Sequence, residues 1–499
     1  GCVLANRLSL DPSNRVLLLE AGGTDRRFFI QMPIGYGKTY HQKAVNWMYM
    51  TEPSPDADNK PSYWPRGKVL GGSSSINAMV YVRGNPRDFD EWSELGNTGW
   101  SYNEVLPYFR KMESWQNGAD TYRGGDGPLN VSEVSSQLHP LCDNFLAAAQ
   151  EIGIRLNPDM NGKNQEGVGN YQITTHKGQR MSTSRAYLWP VMSRSNLTVV
   201  KKALASKILI RDKRAYGVEY LKSGKLHKVE AIREVILCAG SINSPQLLLL
   251  SGIGPAEHLK EKGIDVVHAL EGVGKNLQDH LETYVQQECK TSDTLYSYVN
   301  KLNMVRIGIQ WFLNKSGPCS TSFLEAGGFC KSSADKEYPN IQFHFFPAFV
   351  IDHGTVDPDR HGFQLHASLN QPKSRGHITL NSSNPYDYPK IQFNYLEDDY
   401  DLKETIKCIH VARKILSQNS MKPYTGKEVG PGESAQTDSQ IEEYIRSKAE
   451  TAYHPSCTLK MGVDDMAVVD EKLKIHGLQN IRVADASIMP EITLSLIHI

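Results

Sequence analysis

Arg66-Gly-Lys-Val-Leu-Gly-Gly-Ser-Ser-Ser-Ile-Asn-Ala-Met-Val-Tyr-Val-Arg-Gly84 is the stretch that decides the fold. The adjacent Gly71 and Gly72 let a backbone approach a large planar or phosphorylated ligand with no Cβ in the way. Ser73, Ser74 and Ser75 can cap a helix whose first free N–H groups point toward an anion. A plain turn between two elements would use the same residues, so the neighbours of this run carry the decision.

Upstream, Cys2 to Leu10 places Val3, Leu4, Ala5 and Leu8 at helical spacing and closes on the turn Asp11-Pro12-Ser13-Asn14. Arg15 to Glu20 then reads as a short buried strand that ends in an acid and Ala21-Gly22-Gly23. A glycine opening a helix, followed about 20 residues later by a strand-ending Glu, is the second half of a dinucleotide-binding fingerprint. In that reading Gly1 is the last fingerprint glycine and Glu20 accepts hydrogen bonds from ribose hydroxyls; otherwise Gly1 is a helix-start glycine. Downstream, Glu234 to Cys238 is a continuous apolar strand entering Ala239-Gly240-Ser241, where Ser241 can cap a helix with Leu247 to Leu250 as its apolar body. Near the end, Ile481-Arg-Val-Ala484 delivers Asp485 and Ala486 to a strand's C-terminal edge, where ligands of open α/β sheets sit. Asp485 could equally cap the turn that follows.

Between about 290 and 440 the texture changes. Asn340 to Phe346, Gly362 to Ser368 and His377 to Asn381 alternate with period 2, predicting an antiparallel sheet, and Asn381 to Pro389 closes a hairpin. Asp399 to Leu416 turns helical. The predicted organisation is an α/β dinucleotide-binding, Rossmann-like domain with a parallel sheet over residues 1–285, a second α+β domain on an antiparallel sheet over 286–440, and a return to the first domain over 441–499.

Composition excludes several classes. The 499 residues contain 55 Lys plus Arg and 55 Asp plus Glu, so no global field favours nucleic acid or an anionic membrane. No run of about 18 apolar residues predicts a transmembrane segment. Eight scattered cysteines without a Cys-x-x-Cys argue against a zinc site, and no metal is expected. Sequons at Asn130, Asn196, Asn314 and Asn381 fit an extracellular, secreted protein. The chemistry is expected in Tyr453-His-Pro-Ser-Cys-Thr-Leu-Lys-Met-Gly462, where a histidine in an irregular segment is placed to point into a cleft. Its ordinary pKa suits proton transfer near neutrality. Cys457, with no base at readable spacing, reads as a small buried thiol.

Together these residues resemble the glucose–methanol–choline flavin oxidoreductases. The Gly67 to Gly84 segment is similar to the family's first signature and Gly240 to Gly254 to its second; Gly272 to His280 and His454-Pro455 also match. The likeness covers nearly the whole chain, with a flavour closest to animal glucose dehydrogenase-type members. It implies bound FAD, gripped by Gly1 and Glu20, and by Val69, Gly71, Gly72, Ser73, Asn77, Ala78 and Met79 along the phosphates and isoalloxazine. The backbone of Ala205 would meet the adenine, and Asp485 and Ala486 the flavin end. It further implies oxidation of a small alcohol or sugar, with His454 as general base, hydride transfer to flavin N5, and electrons leaving to a quinone-like acceptor or oxygen. Cys457 and Leu459 replace the family's usual Gly and Cys and are expected to crowd the loop. The likeness is expected to stop after Thr493, with both ends truncated and the first strand missing. The family's second catalytic His or Asn would fall at Leu496, and His498, two residues beyond, is not assigned that role. The alternative is a member or incomplete chain that binds ligand without turnover.

Overall fold

The computed structural model describes residues 1–134, 139–298, 300–351, 354 and 359–494. Strand Val16–Glu20 pairs in parallel with Leu197–Lys201, and Val235–Leu237 pairs in parallel with Ile481–Val483. Helix Cys2–Leu8 packs beside the first pair, and helix Gly240–Leu250 follows the second. Gly1 lies between them: a Cβ there would sit 3.4 Å from Leu18 and 3.6 Å from Cys238, ordinary contact distances. A three-stranded antiparallel sheet (Leu204–Arg211, Arg214–Lys222, Lys225–Glu230) flanks this half.

The second layer is a seven-stranded sheet ordered Thr425–Gly430, Leu281–Cys289, Gly362–Leu369, Ile341–Phe346, Ala326–Cys330 and Gly167–Asn170, with Glu450–Thr451 also paired to Leu281–Cys289. The hairpin His377–Thr379 with Lys390–Gln392 and the helix Asp399–Leu416 form where the sequence puts them. The sheet, however, recruits Gly167–Asn170, most of Leu281–Cys289 and Glu450–Thr451 from outside 286–440, because pairing depends on proximity in space and not on sequence order.

The period-2 strands are not half-exposed. Ile341 to Phe345 are all buried, and alternation sorts them between two covered faces. Ile341, Phe343, Phe345, Phe363, Leu365 and Ala367 join the core under helices Pro140–Glu151 and Asp399–Leu416. The other face is polar and still buried: Gln342, His344, Gln364 and Ser368, with Glu282 and His366 in cross-strand register. A buried polar sheet face has to satisfy its groups internally, and this one forms the ceiling of the candidate site.

Two local expectations give way. Gly72–Ser75 is a single 3-10 turn and not the start of a helix: Ser74 and Ser75 turn their hydroxyls back onto the Gly71 and Leu70 carbonyls at 2.7 Å each. Helix Gly240–Leu250 is entered through Ala239, so Ser241 lies inside its first turn and does not cap it.

Candidate functional site

The sheet edge expected to hold a dinucleotide is assembled by backbone. Glu20 Oε1 accepts the Gly22 N–H at 2.6 Å, and burial pushes its carboxyl up to about 7. The Lys202 and Ala203 N–H groups donate to the Gly22 and Glu20 carbonyls at 2.8 and 2.9 Å, which carries the chain to Ala205 on the strand that follows. Val69 is fully buried and bridges Gly23. Asn77 Oδ1 accepts the Met79 N–H at 3.1 Å and a guanidinium N–H of Arg180 at 2.8 Å, which leaves Met79 at φ +64° beside Ala78. Ser73 Oγ accepts the Gly67 N–H at 3.2 Å. Asp485 caps the turn that follows: one oxygen accepts the Ser487 N–H at 3.0 Å, and the other accepts the Gly240 N–H at 2.9 Å and the Ser244 hydroxyl at 2.6 Å. Ala486 accepts the Cys457 N–H at 3.1 Å, tying this edge to the histidine loop.

A large polar cofactor fits this edge. Gly72, at φ +56°, has no heavy atom within 4 Å of where a Cβ would stand, so its bare backbone faces open space. Arg180 Nη2 and Ser241 Oγ are buried polar atoms with no protein partner, ready for a ligand's acceptors.

His454 lies in a loop held by left-handed residues on either side, Tyr453 at φ +66° and Cys457 at φ +74°. Its N–H donates to Asp279 Oδ1 at 2.7 Å; Asp279 Oδ2 accepts the Thr451 hydroxyl at 2.6 Å and the Tyr395 hydroxyl. Burial lifts the Asp279 carboxyl to about 6. His454 Nδ1 is 2.9 Å from Nδ1 of His280, and His280 Nε2 is 3.0 Å from the Asn370 carbonyl. A carbonyl only accepts, so His280 carries its proton on Nε2 and presents a lone pair at Nδ1. His454 therefore donates through Nδ1–H and keeps its own lone pair on Nε2. Burial holds His280 down at about 4 and, with the neighbouring His280, holds His454 well below 6.5. The sequence-based expectation of a titration near neutrality is thus corrected: both rings are neutral there, because charging either would bury a cation.

Two residues beyond His280 stands Glu282. It receives the Nδ1 atoms of His344 at 3.2 Å and His366 at 3.0 Å, which hold it below the usual carboxylate range despite burial. Its field reaches Tyr40, Tyr171, Tyr453 and His454. The Tyr40 and Tyr453 rings meet at 5.7 Å, and the Tyr171 and His344 rings at 5.3 Å.

Sequence reading missed Asp279, His280, Glu282 and Asn370 as site residues, although Gly272 to His280 was recognised as a motif. The available signal was the Asp-His-Leu-Glu run at a strand start, where alternate residues share a face. Cys457 is a buried thiol pushed up by burial, as read. The expected crowding does not occur: Cys457, Leu459 and Met461 are absorbed into one apolar core. Leu496 and His498 lie outside the described residues.

A two-part α/β architecture, a glycine-lined dinucleotide edge and a neutral buried histidine beside it define a nucleotide-dependent oxidoreductase. The comparisons refine this: the N-terminal and C-terminal family models of the GMC oxidoreductases match residues 17–282 and 372–496, and the chain belongs to that family. It is 48% identical over 501 residues to "Choline dehydrogenase, mitochondrial" of Mus musculus, covering 99% of this chain and 84% of that protein. It is 47% identical to "Oxygen-dependent choline dehydrogenase" of Photobacterium profundum, covering 99% and 87%. A formate oxidase structure from Aspergillus oryzae RIB40, determined in work on FAD modification, superposes with a TM-score of 0.91 at 27% identity, over 99% of this chain and 92% of that one. The chain is an FAD-dependent alcohol oxidoreductase, and the reading without turnover is set aside.

Two expectations are overturned here, and one is not confirmed. The likeness continues past Thr493, since the C-terminal match reaches residue 496. The glucose dehydrogenase flavour finds no support among relatives that are choline dehydrogenases. Secretion is contradicted by a relative that is mitochondrial.

Proposed function

We propose that this chain oxidises the hydroxymethyl group of a small alcohol bearing a quaternary ammonium, choline being the first candidate. The observation that carries the reading is Glu282, a deprotonated, largely buried carboxylate among tyrosines one turn of the strand pleat from His280. A carboxylate with aromatic walls suits a cation that has no N–H to donate, through charge and cation–π attraction worth about 0.5–2 kcal/mol per ring. The names of the relatives from mouse and Photobacterium point to the same substrate.

In this proposal the FAD lies along Gly1, Glu20, Val69, Gly71, Gly72, Ser73, Asn77, Ala78, Met79, Ala205, Asp485 and Ala486. Residues 1–285 and 441–499 form the cofactor half and 286–440 most of the substrate half. Bound FAD supplies the two-electron hydride acceptor. His454 Nε2 takes the hydroxyl proton, which makes the adjacent carbon a better hydride donor. His280, fixed by the Asn370 carbonyl, holds His454 in the tautomer that can accept that proton. Asp279 anchors the loop through the His454 N–H. The electrons leave to oxygen or a quinone-like acceptor, and the oxygen-dependent relative supports oxygen; reoxidation in air against a soluble quinone separates the two.

The test compares choline with 3,3-dimethylbutan-1-ol, which has the same shape and no charge. Choline is expected to lead by roughly 10²-fold in kcat/KM, because only the cation is drawn to the carboxylate's charge and to the aromatic rings around it. Equal values would dismiss Glu282 as a cation anchor.

A further inference from the structure

The peptide bond between Tyr453 and His454 is held at both ends by charged side chains. A guanidinium N–H of Arg66 donates to the Tyr453 carbonyl at 2.6 Å, and Asp279 Oδ1 accepts the His454 N–H at 2.7 Å. The bond is trans, so its C=O and N–H point in opposite directions, with the cation on one side and the carboxylate on the other. Each charge meets the pole of the peptide dipole that it favours, the cation at the carbonyl oxygen and the anion at the amide hydrogen.

Both clamping residues are themselves fixed. The Arg66 backbone N–H donates to Asn46 Oδ1 at 2.9 Å, its carbonyl accepts the Trp47 N–H at 2.8 Å, and its Nε donates to the Pro65 carbonyl at 2.7 Å. Asp279 is buried, and its second oxygen takes the Thr451 and Tyr395 hydroxyls. The clamp acts where the backbone is least at ease: Tyr453 is left-handed at φ +66°, a conformation that a Cβ disfavours. That turn sets the direction in which the His454 side chain leaves the chain to meet His280.

We infer that Arg66 and Asp279 act together as positioning residues, clamping the Tyr453–His454 peptide so that His454 Nε2 stays aimed at the reacting hydroxyl. The inference rests on the reading of His454 as the base. Arg66 has a second effect. Its cation, like the neighbouring His280 and His344, opposes a charge on His454, against the pull of Glu282. A carboxylate alone at this peptide would orient the ring and favour its charged form; the pair orients it and keeps it neutral. Arg66 heads the glycine–serine run, Asp279 precedes His280, and Tyr453 opens the histidine loop, so the cofactor edge and the base share one peptide.

Flavin reduction by choline is followed anaerobically by stopped flow in Arg66→Gln, Arg66→Lys, Asp279→Asn and the Arg66→Gln with Asp279→Asn double variant. Arg66→Gln is expected to lower the limiting rate by about tenfold to 10²-fold at unchanged FAD content. Its acid limb should move to higher pH, because a charge that opposes His454 protonation is gone. Arg66→Lys keeps the charge and should return the acid limb to the parent's position. The double variant should fall short of the product of the two single effects by about tenfold, since the two residues act on one peptide. The inference is overturned if Arg66→Gln reduces its flavin at the parent's rate, if its acid limb does not move, if the two single effects multiply, or if Arg66→Gln loses its FAD. His454→Ala is the control. If it is as fast as the parent, the reading of His454 as base falls and the inference with it; if it is slow and Arg66→Gln is not, the inference alone falls.

Discussion

Around Gly22, Val69 and Gly72 the chain works with its backbone; around His454 it works with side chains. The first region is built from short runs in which glycines allow close approach and N–H groups do the holding, as between Gly22 and Glu20. The second gathers Tyr40, Asp279, Glu282, His344, Asn370 and His454 from separate strands and loops, and buries several titratable groups together. The difference is that a nucleotide grip tolerates most side chains but not most backbones, whereas the chemical pocket depends on each side chain's identity and on burial that retunes it.

The largest test of this division is His454→Ala. Anaerobic stopped-flow reduction by substrate is expected to slow by roughly 10²- to 10⁴-fold, the usual worth of a positioned base, while FAD content stays near that of the parent. Unchanged reduction would put the base elsewhere. Gly22→Ala should do the reverse. Its Cβ would stand 1.8 Å from the Lys68 carbonyl oxygen, so thermal unfolding should show about 1–3 kcal/mol lost, together with FAD retention. A variant as stable and as yellow as the parent would mean that this crossing of backbones is loose.

Glu282→Gln sharpens the side-chain half further. KM for choline should rise by about tenfold to 10²-fold, with little change for the uncharged analogue. A matching rise for both would make Glu282 a support for His344 and His366 only. The smallest effect expected is with pH. Only neutral imidazole accepts a proton, and burial holds His454 well below 6.5, so the reduction rate should be flat across neutral pH and fall only on the acid side. A rise centred at the ordinary imidazole value would show that His454 is solvated during turnover.

Legibility follows the same line. Val16–Glu20, Val235–Leu237 and Asp399–Leu416 form close to where periodicity puts them, because each buries a face set by local spacing. The serines after Gly72 failed as a helix start because their hydroxyls bond back to nearby carbonyls. The alternation in Ile341–Phe346 was readable, but not that its polar side is buried; that depends on the cofactor half lying against it.

The order of residues along this chain is enough to specify its family and its FAD, and to propose a cofactor edge and a proton-accepting histidine, since those rest on contiguous motifs. The partnership of His454 with His280, the carboxylate held by two histidines and the neutral state of the buried imidazoles arise from contacts between residues up to 175 positions apart, as between Asp279 and His454. No local pattern encodes those contacts, because protonation and tautomer are fixed by the surroundings that folding builds around each ring.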